Sequence, residues 1–590
     1  MLLFIILVLV LSIPSVQTKL GRYVTGRLNK DFNTDINIGK VGLQFNGDVE
    51  LKEILIRDHH QDTLISIQEL NTSIISFRNV INNKLNFGDI DIEELYFSMK
   101  TYEGEEDSSL DIFVASFDDD QPRTEPSDFL FSSSDITIDG GNFIIRDENL
   151  ERVVILDLRE IDANVTDFVI NGPEVRTRIN KLSLLTRRGV RLKNLMTDFE
   201  YTLDHMDFKN LKLSTQESEL IGDLKFIYKR EDLKDFTRKV KIEASFRDSR
   251  LKLKDLNSFY DEFGDRQTAQ FSVDLSGTLN NLIANNLDLR TSRNTRIDGD
   301  LEFNNLFSEN DEDFQLDGKL RNLSSNYYDL TALLPNILGK AIPSIFVELG
   351  NFRMVGESNI VGSDLNANFD LFTEIGFMKT DLVIERVNDI DEASYVGGVV
   401  FEEFNLGEMI NDPSVGFVTG EVRLDGKGFK LESIETNVEG DILSFGYNGY
   451  TYSDLILSGE LGNYVFNGKL NVEDPNLKLD FNGLADFSEA VRRFDFKADV
   501  GYANLKALNF IKNDTISEFT GRVNMAALGS SYEDLDGYIS VKDVTYVNDI
   551  QTYEFDDFEI VSEFRGEDRR ITVDSPDIIS GEMSGQFKIK

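Results

Sequence analysis

The feature that most constrains this chain is alternation. From about Thr34 to its end, apolar and polar residues change places every second position, in one short run after another. The stretch "VFNGKLNVEDPNLKLDFNGLADFS" shows the unit. Phe466, Leu470 and Val472 alternate with polar residues, and Asp474-Pro475-Asn476 reads as a turn. Leu477, Leu479 and Phe481 then alternate with Lys478, Asp480 and Asn482. A period of two sends successive side chains to opposite faces of a strand, so the stretch predicts a β-hairpin with one apolar and one charged face. "DINIGKVGLQF", "DVELKEILIRD" and "DTLISIQELNTSI" repeat the pattern, and "QFSVDLSGTLNNLIANNLDLRTSRNTRIDGDLEFNNL" reads as three or four strands. Gly140-Gly141 reads as a turn, and Gly277, Gly299, Gly459, Gly468, Gly483, Gly521 and Gly585 as strand ends.

A strand with one apolar face must cover that face. Single sandwich domains rarely exceed about 150 residues before the chain breaks into separate domains, yet no Gly/Ser or Pro-rich linker interrupts this pattern. The expectation is therefore a mainly β protein in one long, elongated sheet. At a strand spacing of about 4.8 Å, roughly 40 to 45 strands would extend on the order of 200 Å and either curl into a groove with an apolar lining or fold into successive layers. Phe466, Leu470, Val472, Leu477, Leu479 and Phe481 are the candidate groove lining.

Composition removes several functions. Asp and Glu number 105 against 61 Lys and Arg, a net charge of −44, which repels phosphate backbones and excludes general nucleic-acid binding. The 44 Phe and 18 Tyr favour strands and argue against disorder. There is no cysteine, hence no disulfide and no thiolate chemistry. The three histidines are His59, His60 and His205; His59-His60 falls at a predicted turn tip and reads as a solvated pair. Asp118 to Asp120 read as a solvated acidic loop. Asp534-Leu535-Asp536-Gly537 lacks the closing glutamate of a calcium loop. With no phosphate-binding loop, nucleophile elbow or zinc motif, the reading is a non-enzyme without metal or cofactor.

The N-terminus opens with the candidate membrane anchor Leu2, Leu3, Phe4, Ile5, Ile6, Leu7, Val8, Leu9, Val10 and Leu11, with Ile13 beyond. This is shorter than the roughly 20 residues of a spanning helix and matches a signal-peptide core. No clean cleavage site follows, and Val16, Leu20, Val24, Leu28 and Phe32 recur every four residues as a helical stripe. An uncleaved anchor continuing into an exit helix is expected. Lys19, Arg22, Arg27 and Lys30 all follow the apolar run; since flanking charge sets orientation, a short basic leader before Met1 is expected. The remaining plan is a β unit over 33–130, a groove region over 131–326 with a short helix near 255–264, an interrupted helical segment over 327–350 that Pro335 and Pro343 divide into a pair of short buried or groove-capping helices, and a second groove region over 351–590. Asp486 to Phe494 reads as a helical turn.

The segment "IPSVQTKLGRYVTGRLNKDFNTDINIGKVGLQFNGDVELKEILIRDHHQDTLISIQELNTSI" resembles the start of TamB proteins of the Bacteroidetes type, within the AsmA-like, repeating β-groove proteins. The matching features are Pro14, Val16 and Gln17 after the apolar run, then two strands, Asp58, the turn His59 to Gln61, and Asp62-Thr63-Leu64. The strand grammar around Asp300 to Leu306 and Gly459 to Asp486 looks like the family's middle region. The resemblance implies a single-pass inner-membrane anchor with the bulk of the chain in the periplasm of a Gram-negative bacterium. It implies lipid acyl chains, those of phospholipid, carried along the groove between membranes for outer-membrane biogenesis. The alternative is a scaffold for the translocation and assembly of outer-membrane proteins with an outer-membrane partner of the Omp85 type. That partner would bind a C-terminal domain beyond this chain, which stops in mid-strand at "GQFKIK" and is expected to be an N-terminal piece. A tandem β-sandwich surface protein is a third reading, and it lacks the linkers it would need.

Overall fold

A computed structural model describes residues 13–586 apart from 45–47, 75–83, 117–129, 151–152, 172–173, 188, 257–263, 309, 334, 336–341, 343, 388, 390–391, 430–433, 487–491 and 530–533. Among the described residues, 31 strands belong to one open, mixed sheet. They divide between two compact units, Met1–Leu289 and Arg290–Lys590.

In the first unit a helix, α1 (Pro14–Phe32), precedes an antiparallel meander of β1 (Asp35–Leu43), β2 (Asp48–Arg57), β3 (Thr63–Ile74) and β4 (Lys84–Thr101). The next strand, β5 (Leu130–Asp147), lies parallel to β4, with Ile90 opposite Ile136 and Phe97 opposite Phe143. A parallel neighbour requires the chain to return along the strand's full length. The connection that does so contains helix α2 (Ser109–Ala115), which a capping box of Ser108 and Asp111 starts. The later strands of the unit that follow β5 pair antiparallel, through Val154–Asn171 and Glu174–Thr186 to Thr268–Thr278.

Helix α1 closes the free edge of β1 with side chains. Gln17 Nε2 donates to the Leu43 carbonyl at 2.6 Å, and the Leu43 N–H donates to Gln17 Oε1 at 2.9 Å. Asn29 repeats this exchange with both backbone groups of Ile36 at 2.8 Å. The Val41 N–H donates to Thr18 Oγ1 at 3.2 Å and Arg22 donates to the Gly39 carbonyl at 3.1 Å. Carboxamides carry a donor and an acceptor, so each can stand in for one residue of a neighbouring strand. The stripe of Val16, Leu20, Val24, Leu28 and Phe32 does form a helix, but that stripe is not the docked face. Gln17 and Thr25 are buried, while Leu20 and Val24 are 52% and 50% exposed. An unpaired strand edge needs hydrogen-bond partners more than it needs apolar cover.

In the second unit the strands run as an uninterrupted antiparallel meander from Arg296–Asn304 to Gly581–Gly585, each pairing with its neighbours in sequence. The predicted hairpin is present as Val465–Asp474 and Leu477–Asp486, closed by Pro475-Asn476 with Asp474 opposite Leu477.

Several expectations are corrected. The described strands are fewer and longer than the 40 to 45 inferred, reaching 18 residues in β4 and β5, because many glycines taken as turns lie inside strands. Gly140-Gly141 sits within β5 at a register shift, with Gly140 at φ +75°: a β-bulge, not a turn. Gly459, Gly468 and Gly483 face one another in the middle of adjacent strands. Strand Arg492–Asn504 already covers Arg492 to Phe494, where a helical turn was expected, and 487–491 lie outside the described residues. The helix near 255–264 is a single turn, Leu253–Leu256, with 257–263 outside the described residues. The 327–350 segment, by contrast, holds the expected pair of short helices, at Tyr327–Thr331 and Ser344–Leu349, with Leu349 buried. Among the described residues no helix is long and apolar enough to cross a membrane. The anchor residues Leu2 to Leu11 and the acidic loop Asp118 to Asp120 lie outside them, and Ile13 is the exposed N-cap of α1.

If α1 is an edge cap, replacing both Gln17 and Asn29 by alanine bares the backbone of β1. Each lost bond is worth about 0.5–1.5 kcal/mol, so denaturant unfolding of the first unit should shift measurably. Sedimentation velocity should also show new, concentration-dependent self-association. A variant that stays monomeric and equally stable would exclude the capping role.

Candidate functional site

The strongest candidate is the apolar face of the second unit, built by facing residues on consecutive strands. Leu457, Leu470, Phe481 and Ala498 lie opposite one another in one row, and Leu455, Val472, Leu479 and Val500 in the next. On the other side of these rows lies a third, Gly459, Gly468, Gly483 and Phe496. A Cβ on Gly459 or Gly468 would strike the facing backbone, and the gap lets phenylalanine rings lie diagonally across the lane. Phe466 and Phe481 have ring centroids 6.3 Å apart, and Phe481 and Phe496 are 5.1 Å apart. Lys469, Glu473, Lys478, Asp480 and Asn482 occupy the opposite, exposed face.

The six predicted lining residues share this face but divide into two environments. Val472 is only 2% exposed, inside a closed core with Phe404, Ile442, Leu455 and Leu508, and Leu470, Leu477 and Leu479 pack against that core. Phe466 and Phe481 lie outside it and are half-buried. Short non-strand segments supply the lid: Leu349 from the turn Ser344–Leu349, Leu406 and Met409 from helix Leu406–Ile410, and Leu505 and Leu508 after strand Arg492–Asn504. Register shifts occur between Phe401 and Phe404, Val415 and Val418, and Val500 and Ala503. Such bulges bend a strand and sharpen its twist, and here they fall where Phe404, Val418 and Ala503 join the buried cluster. Only the part of this lid within 327–350 is foreseen in the sequence, as a pair of short buried or groove-capping helices; the signal for the rest is the loss of period two in "NLKALNF".

The hairpin turn is fixed by a buried carboxylate. Asp474 accepts hydrogen bonds from Tyr450 Oη at 2.6 Å, the Asn476 N–H at 2.8 Å, and the Ser453 N–H and Oγ at 2.9 and 3.1 Å. Burial alone pushes this carboxyl up, but the four donors outweigh it and hold the group below its usual range. Burial also pushes neighbouring Tyr452 up to about 12.

The first unit uses the same construction. Phe97 and Phe143 stack at 5.0 Å across the parallel pair, and Phe199, Phe208, Phe226 and Phe236 form a continuous row at 5.0 to 6.0 Å. Away from these faces, His59 and His60 are an exposed turn pair, as expected, and they meet Glu105, 46 and 45 residues further on. His205 is hydrogen-bonded to its neighbours Thr202 and Asp204.

No known protein family, curated protein or solved structure matches the chain.

Two outcomes test this description. Leu508→Ala should cost about 2–5 kcal/mol of unfolding free energy, read from the denaturant midpoint, because Leu508 is 1% exposed. Asp474→Asn should destabilise the second unit at neutral pH by about 1–3 kcal/mol. Its pH profile carries the sign. A carboxyl depressed in the folded state stabilises above its unfolded value of about 3.9, and that stability is lost as pH falls through the folded value. The variant should therefore lose part of the parent's acid sensitivity below about pH 4.

Proposed function

We propose that this chain is a non-catalytic carrier whose apolar sheet face holds lipid acyl chains, those of phospholipid, in passage between two membranes. The observation that carries the reading is the half-buried state of Phe466 and Phe481 on a face that continues across consecutive strands of a single open sheet. A single sheet has no partner sheet to cover such a face, and an apolar lane left partly open to solvent offers a place for an apolar ligand. Acyl chains suit it. They need no hydrogen-bond partner, they tolerate any position along a strip of aliphatic and aromatic side chains, and each buried methylene contributes about 0.8 kcal/mol. The charged opposite face keeps the sheet soluble and discourages stacking with other copies.

Membrane attachment at the N-terminus belongs to the same reading. The apolar run Leu2 to Leu11 leads into α1, which docks through polar side chains and leaves Leu20 and Val24 facing outward. We place the chain with the TamB and AsmA-like β-groove proteins, anchored in the inner membrane of a Gram-negative cell. The residues that carry that assignment are those from Pro14 to Leu64.

Site-specific photocrosslinking in cells tests this on the full chain. A benzophenone amino acid at position 466 or 481 should yield adducts with phospholipid, detected by mass spectrometry. The same probe at position 480, on the charged face, should not. Phe466→Asp should abolish the adduct at 481, and Phe481→Asp the adduct at 466. Adducts at 481 with polypeptide instead of lipid would favour the scaffold for outer-membrane protein assembly. Equal labelling at 480 and 481 would sink the face-specific reading.

A further inference from the structure

Outside the apolar faces, one cluster brings together groups that sequence spacing gives no reason to associate. The turn after β2 carries His59 and His60, and the loop after β4 carries Glu105. His59 Nε2 lies 2.9 Å from Glu105 Oε2, and His60 Nε2 lies 2.8 Å from Glu105 Oε1. The ligand-capable atoms of all three residues fall within 4.8 Å of one another. Two imidazole nitrogens and a carboxylate oxygen converging at one point are the donor set of a three-residue zinc site that keeps an open position.

Both loops are braced by bonds that do not use the three donor groups. Asp58, itself buried, accepts the N–H groups of His60 and Asp62 at 2.9 Å each, which fixes the histidine turn. Tyr102 Oη donates to Asp58 and Asp62 at 2.7 and 3.0 Å, tying the end of β4 to that turn. The Tyr102 ring lies against His60, centroid to centroid 3.8 Å, and edge-on to His59 at 5.4 Å. Asn149, beyond β5, holds the Glu105 loop: its Nδ2 donates to the Glu105 and Tyr102 carbonyls, and its Oδ1 accepts from the Gly104 N–H at 2.8 Å. Lys100, the nearby cation, is engaged elsewhere, by Glu148 at 3.0 Å and Asp62 at 3.4 Å.

We infer that His59, His60 and Glu105 form a binding site for one divalent transition-metal ion of the zinc type, clamping the β2–β3 turn to the exit of β4. Imidazole and carboxylate without thiolate suit zinc and its neighbours in the first transition row rather than soft monovalent copper. The partially exposed rings leave room for water at the remaining coordination position. Contacts of 2.8 to 2.9 Å are hydrogen-bond lengths; an ion seated between the groups would take the place of both hydrogen bonds, each neutral imidazole presenting a bare Nε2 to the ion and carrying its proton on Nδ1.

The test uses the untagged full chain, stripped with chelator and titrated with zinc chloride by calorimetry. A parallel titration with cobalt chloride is followed by visible absorption. The expected result is a saturable site of one ion per chain, with a cobalt d–d band of low-coordinate geometry. Loss of an outer-shell partner typically weakens such sites by 10- to 100-fold, so loss of a ligand in His60→Ala or Glu105→Gln should weaken zinc by at least about tenfold. A chain this acidic also binds cations diffusely, so the His59→Ala/His60→Ala double variant, which keeps every carboxylate, is the control. Zinc binding that is absent, or equal in parent and double variant, overturns the proposal. So does a parent spectrum with only the octahedral cobalt band of the hydrated ion. The parent spectrum decides even if a variant loses its fold, which circular dichroism would report.

Discussion

Everything in this protein depends on the backbone hydrogen-bond ladder of a sheet that is not closed. Such a ladder satisfies the interior strands and leaves two problems: unpaired backbone at an edge, and apolar side chains on a face with no second sheet. The helix Pro14–Phe32 answers the first at β1. Gln17 and Asn29 present carboxamides to backbone groups that would otherwise recruit another strand. The polar side of the helix is turned inward for that reason, which inverts the usual arrangement of an amphipathic helix on a core.

The second problem is answered only in part within the second unit. Bulges at Phe404, Val418 and Ala503 and the short lid around Leu349, Leu406 and Leu508 enclose one stretch of the face into a dry core. The lane of Gly459, Gly468 and Gly483, with Phe466, Phe481 and Phe496 lying across it, is left half-buried. The closed stretch supplies stability and the lane supplies surface. The carrier reading rests on that division of labour.

The charge balance fits the same plan. The excess of acidic residues, 105 against 61 basic ones, brings carboxylates near almost any cationic ligand. A metal site here must be distinguished by its imidazoles, and only His59 and His60 sit where a carboxylate is held between two of them.

The sequence by itself determined the strands, their two-sidedness and the hairpin at Asp474-Pro475-Asn476, because a period of two is a local property that each strand expresses alone. It also determined that 14–32 is helical, from the four-residue recurrence of Val16 to Phe32. It did not determine which face of that helix docks, since that follows from the unpaired edge of β1. It did not separate turn glycines from glycines inside strands; Gly140 and Gly468 look alike in sequence, and only the facing strand distinguishes a bulge from a close crossing. The parallel placement of β5 beside β4, the joining of Leu406, Met409 and Leu508 to the lid over Val472, and the meeting of His59 and His60 with Glu105 were decided by tertiary structure alone. Each joins residues many positions apart, and no local periodicity encodes which strand ends come to lie side by side.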